Sequence, residues 1–287
     1  MKKTKKLLGI IAIVAIVGFG LAACGDDDGS KHTHTYSNTW SSNAIQHWKE
    51  CTGAGCDAKT QTANHAPAND TCTTCGYVHT HTYVYTVTST SYPAQSIQTC
   101  SCGETTGTAR NAEIGDIGPA GGIIFYVAIS GFTVLGYEGS FAEYTAYYME
   151  ADPERTSSIW GAQGTLIAGV TTWVDDAEKD SRLAVSIGVG RKDTQVIVNH
   201  LAATGETGRA AQVCASKNLN GFTDWFLPSL GELNEMYKAK GQTEIPTGWN
   251  WSSSQIDNDN AWTQSSGDYQ SGHFKGDHQG VYAVRAF

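Results

Sequence analysis

Two cysteine pairs, Cys51-x4-Cys56 and Cys72-x2-Cys75-Gly76, stand fifteen residues apart in a Thr- and Ser-rich stretch that offers little else to fold around. Six of the eight cysteines and six of the nine histidines fall within residues 31–110. A module of this size buries too little apolar surface to be stable alone, so cross-links or a metal must supply much of its folding energy. Two close thiol pairs present four sulfurs to a tetrahedral zinc ion at Zn–S of about 2.3 Å. His47 and His65 are alternative ligands, because zinc also accepts imidazole nitrogen at about 2.0–2.1 Å. Gly76 permits the positive-φ turn that lets backbone N–H groups face the sulfurs. Disulfides are the other reading, since an exported chain usually meets an oxidising compartment. The sequence leaves zinc and disulfides both open.

The string His-Thr-His-Thr-Tyr occurs at His32–Tyr36 and again at His79–Tyr83, an offset of 47 residues. We read two related modules, 32–78 and 79–110, the second degenerate. In the second, His79, His81, Cys100 and Cys102 form a candidate four-ligand set. A Cys-x-Cys pair is too tight for an easy disulfide, and an eroded, empty copy is the alternative. The β-branched and aromatic run Tyr83–Thr90 predicts a strand. Short hairpins with a small core are expected throughout. Over roughly residues 32–103 the pattern resembles Cys/His-rich repeats of bacterial cell-surface proteins.

Lys2, Lys3, Lys5 and Lys6 precede 17 uncharged residues, Leu7 to Ala23. That run is short for a spanning helix of about 20 residues, and it has the layout of a secretory signal. Leu21-Ala22-Ala23-Cys24 resembles the bacterial lipoprotein lipobox. The resemblance implies a signal peptide over 1–23 and acylation of Cys24, which would anchor the chain in a bilayer at about 0.8 kcal/mol per buried CH₂. Residues 24–31, with Asp26, Asp27 and Asp28, read as an acidic tether. Gly25 after the cysteine resembles lipoproteins exported outward, which implies a place in the cell envelope, at the outer membrane or cell surface. Removing the four lysines takes the net charge from −9 to −13, which argues against a nucleic-acid partner.

Residues 112–287 contain one cysteine and are long enough to own a core. Gly122–Ala128 predicts a buried strand. Gly188-x-Gly190-Arg-Lys-Asp193 lacks the spacing of a phosphate loop, and Asp193 reads as the N-cap of a helix bearing Val196, Ile197, Val198 and Leu201. A second helix is expected over 208–217, with Cys214 buried on a small-residue face. Asn220-Gly221 predicts a turn, and Ser229 with Glu232 a capping box. A carbohydrate site needs aromatic faces with a few convergent polar groups. Trp249, Trp251, Asp257, Asp259, Trp262 and Tyr269 are the ligand-binding candidates on composition. Neither His-Glu-x-x-His nor Gly-x-Ser-x-Gly is present, so no catalytic residue is assigned and the chain is not expected to be an enzyme.

This region resembles the family of the Legionella collagen-like protein C-terminal domain. The matching residues are Gly115-Asp116, Gly121 to Tyr126, Trp160-Gly161, Ile187-Gly188-x-Gly190, Ala210-Ala211-x-x-Cys214, Asn220 to Ser229, Glu232-Leu233, Trp251 to Ser254 and Val284 to Phe287. The resemblance implies a surface-exposed α+β unit with an antiparallel or mixed sheet, a few helices, and kinship to C-type-lectin-like and sulfatase-modifying folds. The small Cys/His-rich β-hairpin modules would precede it. Asp224, Trp225 and Arg285 are signature positions, read as structural: a buried Asp–Arg pair and a packed indole. The implied role is adhesion or binding of an extracellular glycan or surface protein. There is no collagen repeat, and the acidity disfavours polyanions. The alternatives are a zinc-scavenging lipoprotein and an enzyme related to sulfatase-modifying folds. Cys214, the only thiol of that region, supplies neither the pair nor the cluster such chemistry needs.

Overall fold

The computed structural model describes residues 33–287 except 44–45, 66, 69–70, 73, 79, 102, 174–186, 244–247 and 266–268. The signal and tether segments, Cys24, His32, His79 and Cys102 lie outside the described residues. The chain divides into two compact units, one ending at His81 and one over Thr82–Phe287. Strands dominate and helices are few. Among the described residues no helix is long and apolar enough to cross a membrane.

In the N-terminal unit, β1 (Ser41–Ser42), β2 (Gln46–Glu50) and β3 (Lys59–Asn64) form an antiparallel sheet in that order. The short pair β4 (Pro67–Ala68) and β5 (Thr71–Cys72) comes next in the chain. Strand alternation sends His47 inward, while Trp48 lies under the Lys59 ammonium at 4.0 Å. A bulge between the His47 and Lys49 pairings bends β3, where Gln61 adopts φ 54°. No described residue before Val87 belongs to a buried apolar cluster.

The C-terminal unit opens with an antiparallel sheet of β6 (Tyr83–Ser89), β7 (Gln95–Cys100) and β8 (Thr105–Asn111). These are the strands expected of a second Cys/His module. They share a core with the chain downstream of them, since Val87, Ala94 and Ala112 are buried with Ile124 and Tyr148. The Ala94 N–H donates to the Tyr148 hydroxyl at 3.1 Å. The unit therefore begins at Thr82 rather than at 112, because the inward side chains of this sheet find their apolar partners downstream.

The long β9 (Ile123–Val134) pairs with β10 (Tyr144–Ala151). A five-stranded mixed sheet combines β11 (Thr156–Ile159), β12 (Asn250–Gln255), β13 (Asn260–Ser265), β14 (Tyr269–Phe274) and β15 (His278–Val281). Its order is β11-β15-β12-β13-β14, with β12 and β15 parallel. β16 (Val284–Ala286) joins β10. Helices α1 (Gly190–Ala203), α2 (Ala210–Ala215) and α3 (Leu230–Lys238) supply Ile197, Leu201, Cys214 and Leu233 to two apolar clusters that also contain Trp160, Trp251, Phe226 and Tyr282.

Buried polar bonds pin these layers. The expected capping box is present: Glu232 N–H donates to Ser229 Oγ at 3.2 Å and Ser229 N–H to Glu232 Oε2 at 2.7 Å. Glu232 also accepts from Gly188 N–H at 2.8 Å. This explains Gly188-x-Gly190. A β-carbon on Gly188 would lie 1.9 Å from the Thr133 carbonyl oxygen, and one on Gly190 would lie 2.1 Å from Glu232 Oε2. Asp193 is not the helix N-cap. α1 starts three residues earlier, with Val189 at the cap, and Asp193 is buried in its first turn, accepting from Thr171 N–H at 3.1 Å. Arg285 joins Asp224 at 2.6 Å, but Asp224 is half-buried rather than buried, and Arg285 also reaches a fully buried carboxylate, Glu150, at 3.0 Å. Glu150 in turn accepts from the N–H groups of Ala120 and Gly122.

Burial raises the Glu232 carboxyl to about 7 and the Asp193 carboxyl to about 6. Unfolded carboxyls ionise near pH 4, so between about pH 4.5 and 7 the folded state holds more protons than the unfolded one. Stability must fall as pH rises through that window. The melting temperature of the C-terminal unit is expected to decline from pH 4.5 to 7.5. Glu232→Gln, which cannot ionise, should flatten that decline, and a slope that the substitution leaves unchanged contradicts the assignment.

Candidate metal centres

β2 carries His47, the exit of β3 leads to His65, and the β4–β5 hairpin delivers Cys72. The knuckle after Cys72 supplies Cys75. It closes through Gly76 N–H to the Cys72 carbonyl and Cys72 N–H to the Tyr77 carbonyl, both 2.8 Å, with Gly76 at φ 72°. A side chain at that φ is strained, which is why glycine succeeds the Cys-x-x-Cys pair. The donor atoms of His47, His65, Cys72 and Cys75 all lie within 4.8 Å of one another.

The spacing fits a tetrahedral ion. Zn–S of about 2.3 Å and Zn–N of about 2.05 Å at the tetrahedral angle put sulfur and nitrogen about 3.6 Å apart. Cys72 Sγ lies 3.7 Å from His47 Nδ1, and Cys75 Sγ lies 3.5 Å from His65 Nδ1. The His65 ring has its tautomer set. Its Nε2 is 2.7 Å from the Asn43 carbonyl. A carbonyl only accepts, so Nε2 bears the hydrogen and the neutral ring turns its Nδ1 lone pair toward the sulfurs. Tyr77 stacks on the same ring at 4.6 Å, and Trp40 meets His47 edge-on at 4.8 Å. Cys72 and His47 are 1 % and 4 % exposed, so the inner half of the cluster is shielded from water.

Without a cation, burial pushes the Cys75 thiol up. Burial draws the His65 imidazole down, but hydrogen bonds to Cys72 and the Asn43 carbonyl outweigh it and leave it raised. A divalent ion must displace these protons, so its affinity weakens in acid.

Cys51 and Cys56 are not part of this cluster. They converge instead with His34, donor atoms again within 4.8 Å of one another. The expectation of one ion held by four sulfurs is therefore corrected: each thiol pair has its own imidazole partners. The reason is strand geometry. His47 and Cys51 are four positions apart along extended chain, roughly 13 Å between α-carbons, too far to share one tetrahedral ion. His34 carries no ligand spacing in the sequence, and its only signal there is the repeated His-Thr-His-Thr-Tyr string. Of the second candidate set, His79 and Cys102 lie outside the described residues. His81 ends the N-terminal unit, and Cys100 is buried in the sheet of the C-terminal one.

The aromatic and acidic candidates of the C-terminal unit are not gathered into one site. Trp251 is fully buried and donates from Nε1 to the Ser158 carbonyl at 3.0 Å. Trp262 is buried and donates to the Trp173 carbonyl at 3.0 Å. Neither presents a face to a sugar. Asp257 closes its own turn by accepting from Asp259 N–H and Asn260 N–H. Trp249 is half-buried against His273 at 4.8 Å, and Tyr269 is exposed. Trp225 is buried among apolar side chains, and burial pushes the Cys214 thiol up.

No protein-family model and no curated protein matches the chain. Among solved structures it is similar to a fimbrial protein from Bacteroides ovatus, with a TM-score of 0.42 and 15 % identity, over 91 % of this chain and 62 % of that one. The chain thus spans less than two thirds of that protein's length.

Proposed function

We propose that the chain is a cell-envelope lipoprotein, anchored through acylated Cys24, in which a zinc-held N-terminal unit carries a non-catalytic binding unit over residues 82–287. The observation that carries this reading is the set of His47, His65, Cys72 and Cys75 donors at tetrahedral sulfur–nitrogen spacing, within a unit whose described residues contribute to no apolar cluster. Zinc here is a structural ion. It closes its coordination with four protein ligands and supplies folding energy rather than chemistry. The matched ring nitrogens favour this over a Cys72–Cys75 disulfide, which would leave two inward imidazoles with no acid to serve.

The C-terminal unit takes the binding role on its resemblance to the Legionella collagen-like protein C-terminal domain family, and with it a kinship to C-type-lectin-like folds. Cys214 is buried with a raised pKa, which suits a core position and not a nucleophile. Trp249 and Tyr269 remain at the surface as contacts for an extracellular glycan or protein.

Bound metal and free thiols, measured together on the protein purified in detergent, test the zinc reading. The expected result is bound zinc in wild type, lost from the four-ligand centre in Cys72→Ser, with thiols that react after denaturation and chelation. A metal-free protein with oxidised thiols contradicts it. Cys24→Ala tests the anchor: the variant should move from the detergent to the aqueous phase, and continued detergent partitioning contradicts lipidation.

A further inference from the structure

Arg191 is the described arginine that the fold leaves without a counter-charge. Arg110, Arg209 and Arg285 each meet a carboxylate, and Arg155 donates to Asn250 Oδ1 and to the Trp249 carbonyl. Among the described residues Arg191 meets the Phe141 ring at 4.1 Å, the Tyr144 ring at 5.5 Å and the Tyr144 hydroxyl, and no acid. Stacking fixes the plane of a guanidinium and leaves the N–H groups in that plane for a ligand. The surroundings are held firmly. Phe141 closes a turn on Tyr137 through backbone bonds of 3.0 and 3.1 Å, and the Tyr137 hydroxyl accepts from Asn199 Nδ2 on α1 at 3.2 Å.

Arg191 lines a cavity of about 210 Å³ between the start of α1, the Ser140–Phe141 turn and residues 223–226. Gln195 stands four positions after Arg191, on the same face of α1. It donates from Nε2 to Asn199 at 2.9 Å, which leaves its Oε1 to accept. Asp224 gives Oδ1 to Arg285 at 2.6 Å, and among the described residues nothing donates to its Oδ2. Thr223, beside it in the chain, is exposed. Asp224 already shares its charge with Arg285, so the unmatched charge of the cavity is positive, and a mono-anion fits it better than an ammonium or a zwitterion. The volume lies below the roughly 300–1,000 Å³ of drug-sized ligand sites, which leaves room for one ring rather than a chain of them. We propose that this cavity takes one acidic sugar residue, a single ring bearing a carboxylate. Arg191 pairs with the carboxylate, and Asp224 Oδ2, Gln195 Oε1 and the Thr223 hydroxyl accept from the ring hydroxyls. One carboxylate meets the local cation, whereas a polyanion also meets the net negative charge of the chain. The proposal rests on the glycan-binding reading of the C-terminal unit and assigns it residues other than Trp249 and Tyr269.

Saturation-transfer NMR of the full-length protein in detergent tests it with methyl β-D-glucuronide, N-acetylneuraminic acid and, as the uncharged control, methyl β-D-glucoside. At least one carboxylated probe should bind, and the glucoside should not. Arg191→Gln should weaken that binding about tenfold or more, the loss of a charged hydrogen-bonded pair, and Thr223→Val, at an exposed position, about threefold. Unchanged melting temperatures show that the variants fold, and if Arg191→Gln melts early, Thr223→Val decides. Equal binding of the glucoside overturns the role of the carboxylate. Wild-type affinity in a folded Arg191→Gln, or in Thr223→Val where that variant decides, overturns the cavity. A panel of neutral oligosaccharides run alongside separates the site from the reading beneath it. Binding there without the carboxylated probes overturns the cavity alone, and no binding to any sugar overturns the cavity and the glycan reading together.

Discussion

A sulfur and an imidazole nitrogen held about one tetrahedral edge apart is the relation around which the N-terminal unit is arranged. The donors come from separate segments: the middle of β2, the exit of β3, the end of β5 and the knuckle after it. Nothing apolar draws these segments together, because the buried clusters among the described residues begin at Val87. Short strands and cation–aromatic contacts such as Lys59 on Trp48 contribute about 0.5–1 kcal/mol each at exposed sites, too little to offset the chain entropy of ordering the unit. A divalent ion held by these donors would change that balance, since structural zinc contributes on the order of 10 kcal/mol, and binding and folding would then be one event.

The C-terminal unit solves the same problem with a core, and its reactive-looking residues are employed in building it. Arg285 ties β16 to Glu150 on β10 and to Asp224 in the loop before Phe226. Glu232 caps its own helix and the turn that starts α1. Lys275 is fully buried under Trp160, donating to the Thr165 carbonyl at 2.7 Å. Removing one partner of such a buried group strands the other, at a cost of about 3–5 kcal/mol for a charge pair. These residues are therefore held in place by architecture.

What the sequence made readable was local. Ser229 and Glu232 sit three apart and form the capping box; Asn220-Gly221 turns with both residues at positive φ. The Cys-x-x-Cys-Gly knuckle also forms within five residues. What escaped was set by pairing between distant segments. Which imidazole faces which thiol depends on the β2–β3 register and its bulge, and on Tyr36 bridging to Cys51. Glu150 as the second partner of Arg285 lies 135 positions away in sequence. The strands over 83–111 looked like a worn repeat because their similarity to the first module is in a few residues, while their allegiance is decided by Val87 and Ala94 packing on Ile124 and Tyr148.

The most direct measurement is amide hydrogen exchange of the full-length protein, recorded with zinc and again after chelation. If coordination holds the N-terminal unit together, the β2 and β3 amides lose protection when zinc is removed, while those of β12 and β13 exchange as before. Equal protection of β2 and β3 in both states would contradict the account.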